Sequence, residues 1–256
     1  MKKIFKPFED IGDRGRYMIV FFWIALVLAF WFASSMGEKH LFPSPGQVFT
    51  GFAELYSEGL VVHVFSSLWL CLKAIVIAVG ISLTLTYFST VPLVKPIAEA
   101  LGRMRYLPLT GITFYMAILI SDARAMQVWV LVVFMSTYLT TSLLSMISAI
   151  PNEEFDHARS LKCNRWEVLW EVVVKGRFDY VIEVIRQNLA IVWMMLVTVE
   201  SILVAAGGLG FLIKNSDKFM NHGRIIALQI VILGVGLSID FALNFLRKAF
   251  FRYSKI

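Results

Sequence analysis

Apolar residues run through the chain in long uninterrupted stretches, broken by short polar segments rather than by the alternation that marks strands. The stretches at 17–33, 68–88, 107–120, 127–150, 189–206 and 225–246 predict six helices. A bilayer core of about 30 Å takes about 20 helical residues to cross, so each is read as a membrane span, with 107–120 the short one. Tyr17, Trp23 and Trp31 suit the water–lipid boundary that amphipathic aromatics prefer. An amphipathic stretch at 61–67, containing His63, leads into the second span. The prolines agree with this division. Pro43, Pro45, Pro92, Pro96 and Pro151 fall between spans, and Pro108 opens one, where its missing N–H is harmless.

Composition sharpens the picture. Of 256 residues, 58% are hydrophobic and 16% charged, and the mean hydropathy is +0.73. A soluble domain carries about 25% charged residues, so the deficit points to lipid as the solvent. The net charge of +6 does not imply a nucleic-acid partner, because the basic residues sit in the connections. With the N-terminus placed in the cytoplasm, only Lys39, Arg124, Lys214, Lys218 and Arg224 fall on the far side and Lys73 within a span; all others of the 24 Lys and Arg are cytoplasmic. That bias predicts a multi-pass protein of the cell inner membrane with both termini cytoplasmic. Ala33-Ser34-Ser35 after an apolar run imitates a signal-peptide end. Glu9, Asp10 and Asp13, and the length of the run, favour a retained first helix instead. The expected organisation is a cytoplasmic segment 1–16, one transmembrane domain 17–250 and a cytoplasmic tail 251–256.

The longest cytoplasmic connection, 151–188, carries the most information. Asn152 is placed to cap a helix, with Glu153, Glu154 and Asp156 favourable in its first turns. Phe155, Ala158 and Leu161 recur on one face of that short helix. Asn164 and Glu167 form the pattern of a second cap. Trp166, Leu169, Trp170 and Val173 follow at i, i+3, i+4 and i+7. Two short amphipathic helices on a loop form either a docking surface or an element lying on the membrane.

The order of residues adds to this. Asp156-His157-Ala158-Arg159-Ser160-Leu161-Lys162 and the following Cys163-Asn164-Arg165-Trp166 resemble the E-A-A-x-x-x-G loop of permease subunits of bacterial ABC importers. The branch that imports nitrate, sulfonates, taurine, bicarbonate and thiamine precursors is the one most resembled. Phe42-Pro43-Ser44-Pro45 resembles its L-P-S-P, Ser66-Ser67-Leu68 its lead into the second helix, and Arg105-Tyr106-Leu107-Pro108 its opening of the third. Val199-Glu200-Ser201 through Gly208-Leu209-Gly210 resembles its E…GLG segment. The motifs are individually weak but collinear over about 40–250. The resemblance implies an all-α integral membrane fold of the type I importer permease, with about six transmembrane helices and a cytoplasmic coupling helix. It implies Phe155, Asp156, Ala158, Arg159, Leu161 and Lys162 as the contact with two ATPase subunits. It further implies a second permease subunit and an extracytoplasmic solute-binding protein. This sequence departs from the pattern where Asp156 replaces Glu, His157 replaces Ala, Lys162 replaces Gly, and Val174-Lys175 replaces Leu-Pro. A glycine at a helix break usually supplies positive φ, which Lys adopts at a cost of about 1–2 kcal/mol, so either the break has another shape here or the loop is strained.

The motif GxxxxGK[ST] is missing from the sequence, and Gly207-Gly208-Leu209-Gly210 lacks the Lys and Ser/Thr that hold phosphate and Mg²⁺. ATP and Mg²⁺ are therefore expected on a partner chain, with no cofactor or metal on this one. Charged residues in spans usually face protein or water, which marks Glu200, with Met194, Thr198 and Ser201, as translocation-pathway candidates, the alternative for Glu200 being helix packing. Lys73 has Asp240 or Glu200 as conceivable partners. The small hydroxyl residues of the fourth span, Ser136 through Ser145, suit helix contacts or a pathway equally. Four scattered histidines, with no His-x-x-His, disfavour a membrane metalloenzyme. A secondary transporter working without ATPase partners remains the alternative function, although no internal repeat supports it.

Overall fold

In the computed structural model, residues 12–35 and 43–250 are described. The segment 1–11, the tail 251–256, and Lys39, His40 and Phe42 lie outside them. Every regular element among these residues is helical: α1 Gly12–Ser35, α2 Pro45–Ser57, α3 Leu60–Phe88, α4 Lys95–Arg103, α5 Leu109–Leu119, α6 Ala123–Ser148, α7 Asn152–Ser160, α8 Arg165–Val168, α9 Phe178–Ile202, α10 Leu209–Lys218 and α11 His222–Phe250. Helices α1, α3, α6, α9 and α11 are long and apolar enough to cross a bilayer. The third expected span is the 11-residue α5, which at 1.5 Å per residue reaches about 16 Å.

The bundle is organised around α6. Of its most apolar stretch 56% is buried, against 6% for α1. Val130, Leu131, Met135 and Leu139 of α6 are enclosed by α3 and α9. The face α3 turns inward is a ladder of small residues: Ser67, Cys71, Ala74, Ala78, Ser82 and Thr86, all buried. In lipid no hydrophobic force presses helices together, so small side chains that let backbones approach are the means of tight packing. Ser82 Oγ reaches the carbonyl of Ser136 on α6 at 3.3 Å. Ser136, Thr137 and Thr140 are likewise buried between helices, the packing arm of the two readings of that span. Helix α1 stands at the side, its Trp31 Nε1–H donating to the Pro43 carbonyl at 3.1 Å. The outward faces of the long helices carry exposed apolar residues such as Phe21, Val76, Leu233 and Phe241, as lipid contact requires.

Several boundaries differ from the sequence pattern. Helix α9 begins at Phe178, so the connection after α6 is shorter than 151–188. The pattern concealed this because Glu183, Arg186 and Gln187 look like loop residues. They are instead held in a charge network with α11: Arg186 bonds Glu183 at 2.7 Å and Asp240 at 2.6 Å, and Arg247 bonds Glu183 at 2.5 Å. Asp240 is thus paired with Arg186 rather than Lys73, whose ammonium lies over the Trp69 ring at 5.2 Å. The stretch 61–67 is the first part of α3 rather than a separate lead-in. Helices α2, α4 and α10 fill connections between the expected spans. A capping box between Ser44 and Gln47 starts α2, and its far end is tied to α11 by a double contact of Arg224 with Glu58. There α2 and α11 meet backbone to backbone: a Cβ on Gly223 would sit 2.6 Å from the Gln47 carbonyl oxygen.

Candidate functional site

Two constructions, one at each end of the bundle, hold the residues singled out by sequence. At the α2 and α10 end, α9 stops at Ile202 and the chain turns through Gly207 and Gly208 into α10. Gly208 is the N-cap of α10 and has no side chain to offer the first N–H groups. In lipid an unpaired N–H costs several kcal/mol, and other helices supply the acceptors. Gly210 N–H donates to Glu200 Oε2 at 3.0 Å, Leu209 N–H to Ser67 Oγ at 3.0 Å, and Gly208 N–H to His63 Nδ1 at 3.3 Å. Ser67 Oγ–H in turn donates to the Glu200 carboxylate, 2.7 and 2.9 Å from its two oxygens. His63 stacks on Phe211. The Glu200 carboxyl group lies at the positive end of the α10 dipole. Glycine is required here: Gly208 has φ +113°, and a Cβ on it would fall within the Glu200 carboxyl group.

A second layer closes the break from the α9 side. Gln127, fully buried on α6, donates through Nε2 to the Leu203 carbonyl at 2.9 Å. Arg124 donates to Gln127 Oε1 at 3.1 Å and also contacts Ser66. Sequence reasoning missed Gln127 and Arg124. The only signal available was their position, Gln127 at the start of a span and Arg124 just before it, where polar residues look unremarkable. The pathway candidates separate. Met194, Thr198 and, in part, Ser201 form an exposed stripe on α9, whereas Glu200 is enclosed. Glu200 does not share the face of Thr198, which lies two residues, about half a turn, before it on the helix. The Thr198 and Ser201 hydroxyls bond carbonyls of their own helix. Among the described residues no group of three or more His, Cys, Asp or Glu side chains gathers in metal-binding fashion.

At the other end lies the loop. Pro151 is the N-cap of α7, and Asn152 is inside the helix with no capping bond, contrary to expectation; proline pre-sets the backbone for the start without a side-chain acceptor. The capping box of Asn164 with Glu167 does open α8. Between them Lys162 takes φ +60°. Its N–H bonds the Arg159 carbonyl at 2.9 Å and Cys163 N–H bonds the Ala158 carbonyl at 3.3 Å, the double closure of a Schellman turn. The left-handed position is therefore kept with lysine in it.

The faces of the loop are also partly other than expected. Ala158 is buried and Phe155 half-buried, packed inward, while Asp156, Arg159, Leu161 and Lys162 face outward, with Leu161 66% exposed. Asp156 and Arg159 pair at 3.0 Å. The chain after α8 winds as a π-helix over Leu169–Lys175, where i→i+5 bonds bring Val168 and Val173 inward together. Trp166 and Trp170 stay exposed, at 58% and 56%, so the expected face of 166, 169, 170 and 173 does not form. Glu154 of α7 pairs with Arg177 at the start of α9, and Arg177 lies 5.5 Å from the Tyr180 ring centre.

The fold and these two ends define a polytopic helical membrane protein with the architecture of an ABC transporter permease. A crystal structure of an amino acid ABC transporter with histidines contains a chain that superposes with a TM-score of 0.62, over 78% of this chain and 95% of that one. At 16% identity this likeness concerns the fold. Over 107 residues, 42% of the chain, the sequence is 26% identical to the taurine transport system permease protein TauC of Escherichia coli (strain K12). Over 113 residues, 44% of the chain, it is 25% identical to an ABC transporter permease protein of Methanocaldococcus jannaschii. The matches span 38% and 42% of those relatives' lengths. No family model matches. Both relatives are ABC transporter permeases, so the resemblance read from the motifs is borne out.

Two outcomes follow from this geometry. Glu200→Leu removes the acceptor for Ser67 O–H and Gly210 N–H and should lower stability in detergent by about 2–5 kcal/mol, with Glu200→Gln costing less. A Glu200→Leu protein melting with the wild type would rule out the capping role. Lys162→Gly removes the left-handed penalty and should raise amide protection across α7 by about 1 kcal/mol. Unchanged hydrogen exchange there would mean that Lys162 bears no such cost.

Proposed function

We propose that the chain is the transmembrane permease subunit of an ATP-binding-cassette importer. The observation that carries this reading is α7. It is a short helix closed by a Schellman turn, anchored inward by Phe155 and Ala158, and presenting Asp156, Arg159, Leu161 and Lys162 outward. It is tied to a spanning helix through Glu154 and Arg177. A coupling element needs such a build: an exposed contact surface on a rigid base joined to a helix that crosses the membrane.

In this reading two ATPase subunits bind ATP and Mg²⁺ and dock on α7, while this chain itself hydrolyses nothing. A second permease subunit completes the pathway, and a binding protein delivers solute to the α2 and α10 end. Similarity to a taurine permease favours a small anion or sulfonate-like solute. The exposed stripe of Met194, Thr198 and Ser201 is the candidate lining, and Glu200 supports it from behind. Both termini, the segment 1–16, the tail 251–256 and α7 are cytoplasmic, within one transmembrane domain 17–250, as the Lys and Arg bias favours.

Leu161→Asp places a charge on the outward face without touching a span or the inward anchors. A buried apolar anchor is worth about 2 kcal/mol or more at an interface, so the variant should insert normally and lose co-purifying ATPase and transport together. Full retention of ATPase would refute docking on this face. Orientation has its own check. A reporter joined at Gly46 should read extracytoplasmic and one at Asn164 cytoplasmic, and the reverse pattern would overturn the topology.

A further inference from the structure

A cavity of about 760 Å³ opens where the C-terminal ends of α3 and α6 meet α4, within the range of about 300–1,000 Å³ usual for ligand clefts. Its wall includes Ser145 and Ser148 in the last turns of α6, just before α7, so it lies at the α7 end of the bundle. Three basic side chains line it: Lys95, Arg103 and Arg105. A single carboxylate shares the wall. Glu99 stands 4.0 Å from Arg103, with side chains 44% and 80% exposed, a surface pair that holds little. Neither Lys95 nor Arg105 is ion-paired among the described residues. Arg105 leans on its exposed neighbour: its Nη2 donates to the Tyr106 hydroxyl at 3.1 Å, and its guanidinium lies 5.1 Å from that ring's centre. The cavity therefore keeps positive charge that the protein does not neutralise, beside the Ser145 and Tyr106 hydroxyls; those of Ser89, Thr90, Thr141 and Ser148 already donate to backbone carbonyls.

Apolar residues sit next to this charge in sequence and stand exposed. Leu93 and Ile97 flank Lys95, and Tyr106 and Leu107 follow Arg105. Cations beside exposed apolar side chains at a bundle end match a ligand with a charged head and a hydrocarbon body. A cavity of this size is also larger than a lone oxyanion needs.

We propose that this cavity binds a phosphate-type oxyanion, supplied by the headgroup of an anionic phospholipid in the leaflet at the α7 end. The site goes beyond the transport reading and does not depend on it: it needs only the chain in a bilayer.

The test uses the full chain, purified and placed in nanodiscs of phosphatidylcholine with or without phosphatidylglycerol. Native mass spectrometry should show phosphatidylglycerol retained in preference to phosphatidylcholine. Each basic side chain near an anionic lipid is worth about fivefold in binding, so Lys95→Gln with Arg105→Gln should reduce retention about 25-fold. The charge-keeping pair Lys95→Arg with Arg105→Lys should retain the lipid, which separates lost charge from a damaged fold. A second arm adds inorganic phosphate to pure phosphatidylcholine nanodiscs and follows ³¹P line broadening. Broadening that the Gln pair abolishes, with lipid retention equal in wild type and variant, would keep the oxyanion site and overturn the lipid as its source. Equal retention in both proteins with no phosphate broadening would overturn the proposal.

Discussion

Within hydrocarbon a backbone N–H or C=O has no water to turn to, and any interruption of a spanning helix must be paired by the protein itself. The break between α9 and α10 is where this constraint shapes the molecule. Three consecutive N–H groups, from Gly208 to Gly210, are met by His63, Ser67 and Glu200, and the carbonyl of Leu203 by Gln127. These acceptors and donors come from α3, α6 and α9, so a single turn fixes the relative positions of the helices forming the core. The buried Ser67 ladder of α3 and the placement of α6 at the centre are consistent with that one demand. A carboxyl group in a span, expensive when alone, becomes the piece that closes it.

The opposite end is built with surface chemistry instead. Pro151 starts α7, a left-handed Lys162 ends it, and a capping box starts α8. All three are local devices that work in water. The charge network of Glu183, Arg186, Asp240 and Arg247 marks the transition, since Glu183 and Arg247 are largely shielded while Asp240 is half exposed. It lets α9 continue past the apolar stretch towards α7 without stranding a charge.

Much of this was legible in the chain. Long apolar runs located the spans because lipid leaves little choice of structure, and Asn164 with Glu167 located a cap because that pattern is local. At Lys162 the resemblance to the E-A-A-x-x-x-G loop leaves two readings open, a break of another shape or a strained left-handed lysine, and the left-handed lysine is what the structure has. What stayed hidden depended on partners distant in sequence. Glu183 and Arg186 read as loop until Asp240 and Arg247 are beside them. Val168 and Val173 read as different faces until a π-helical turn brings them together. The direction of Glu200 could not be read from its neighbours, because the groups that decide it lie on α3 and α10.

Helix α9 joins the two ends, and its attachments differ in strength. Its 25 residues make a rod about 37 Å long. At its far end Glu200 sits in a buried cluster whose loss would strand several polar groups, at about 1–3 kcal/mol each. At its near end the tie to α7 is Glu154 with Arg177, where Glu154 is 43% exposed. A partly exposed pair of that kind contributes about 1 kcal/mol or less. The tie to α7 is thus weaker than the cluster at the α10 end, while Glu183, Arg186, Asp240 and Arg247 bind the same half of α9 to α11. That asymmetry comes directly from where water can and cannot reach.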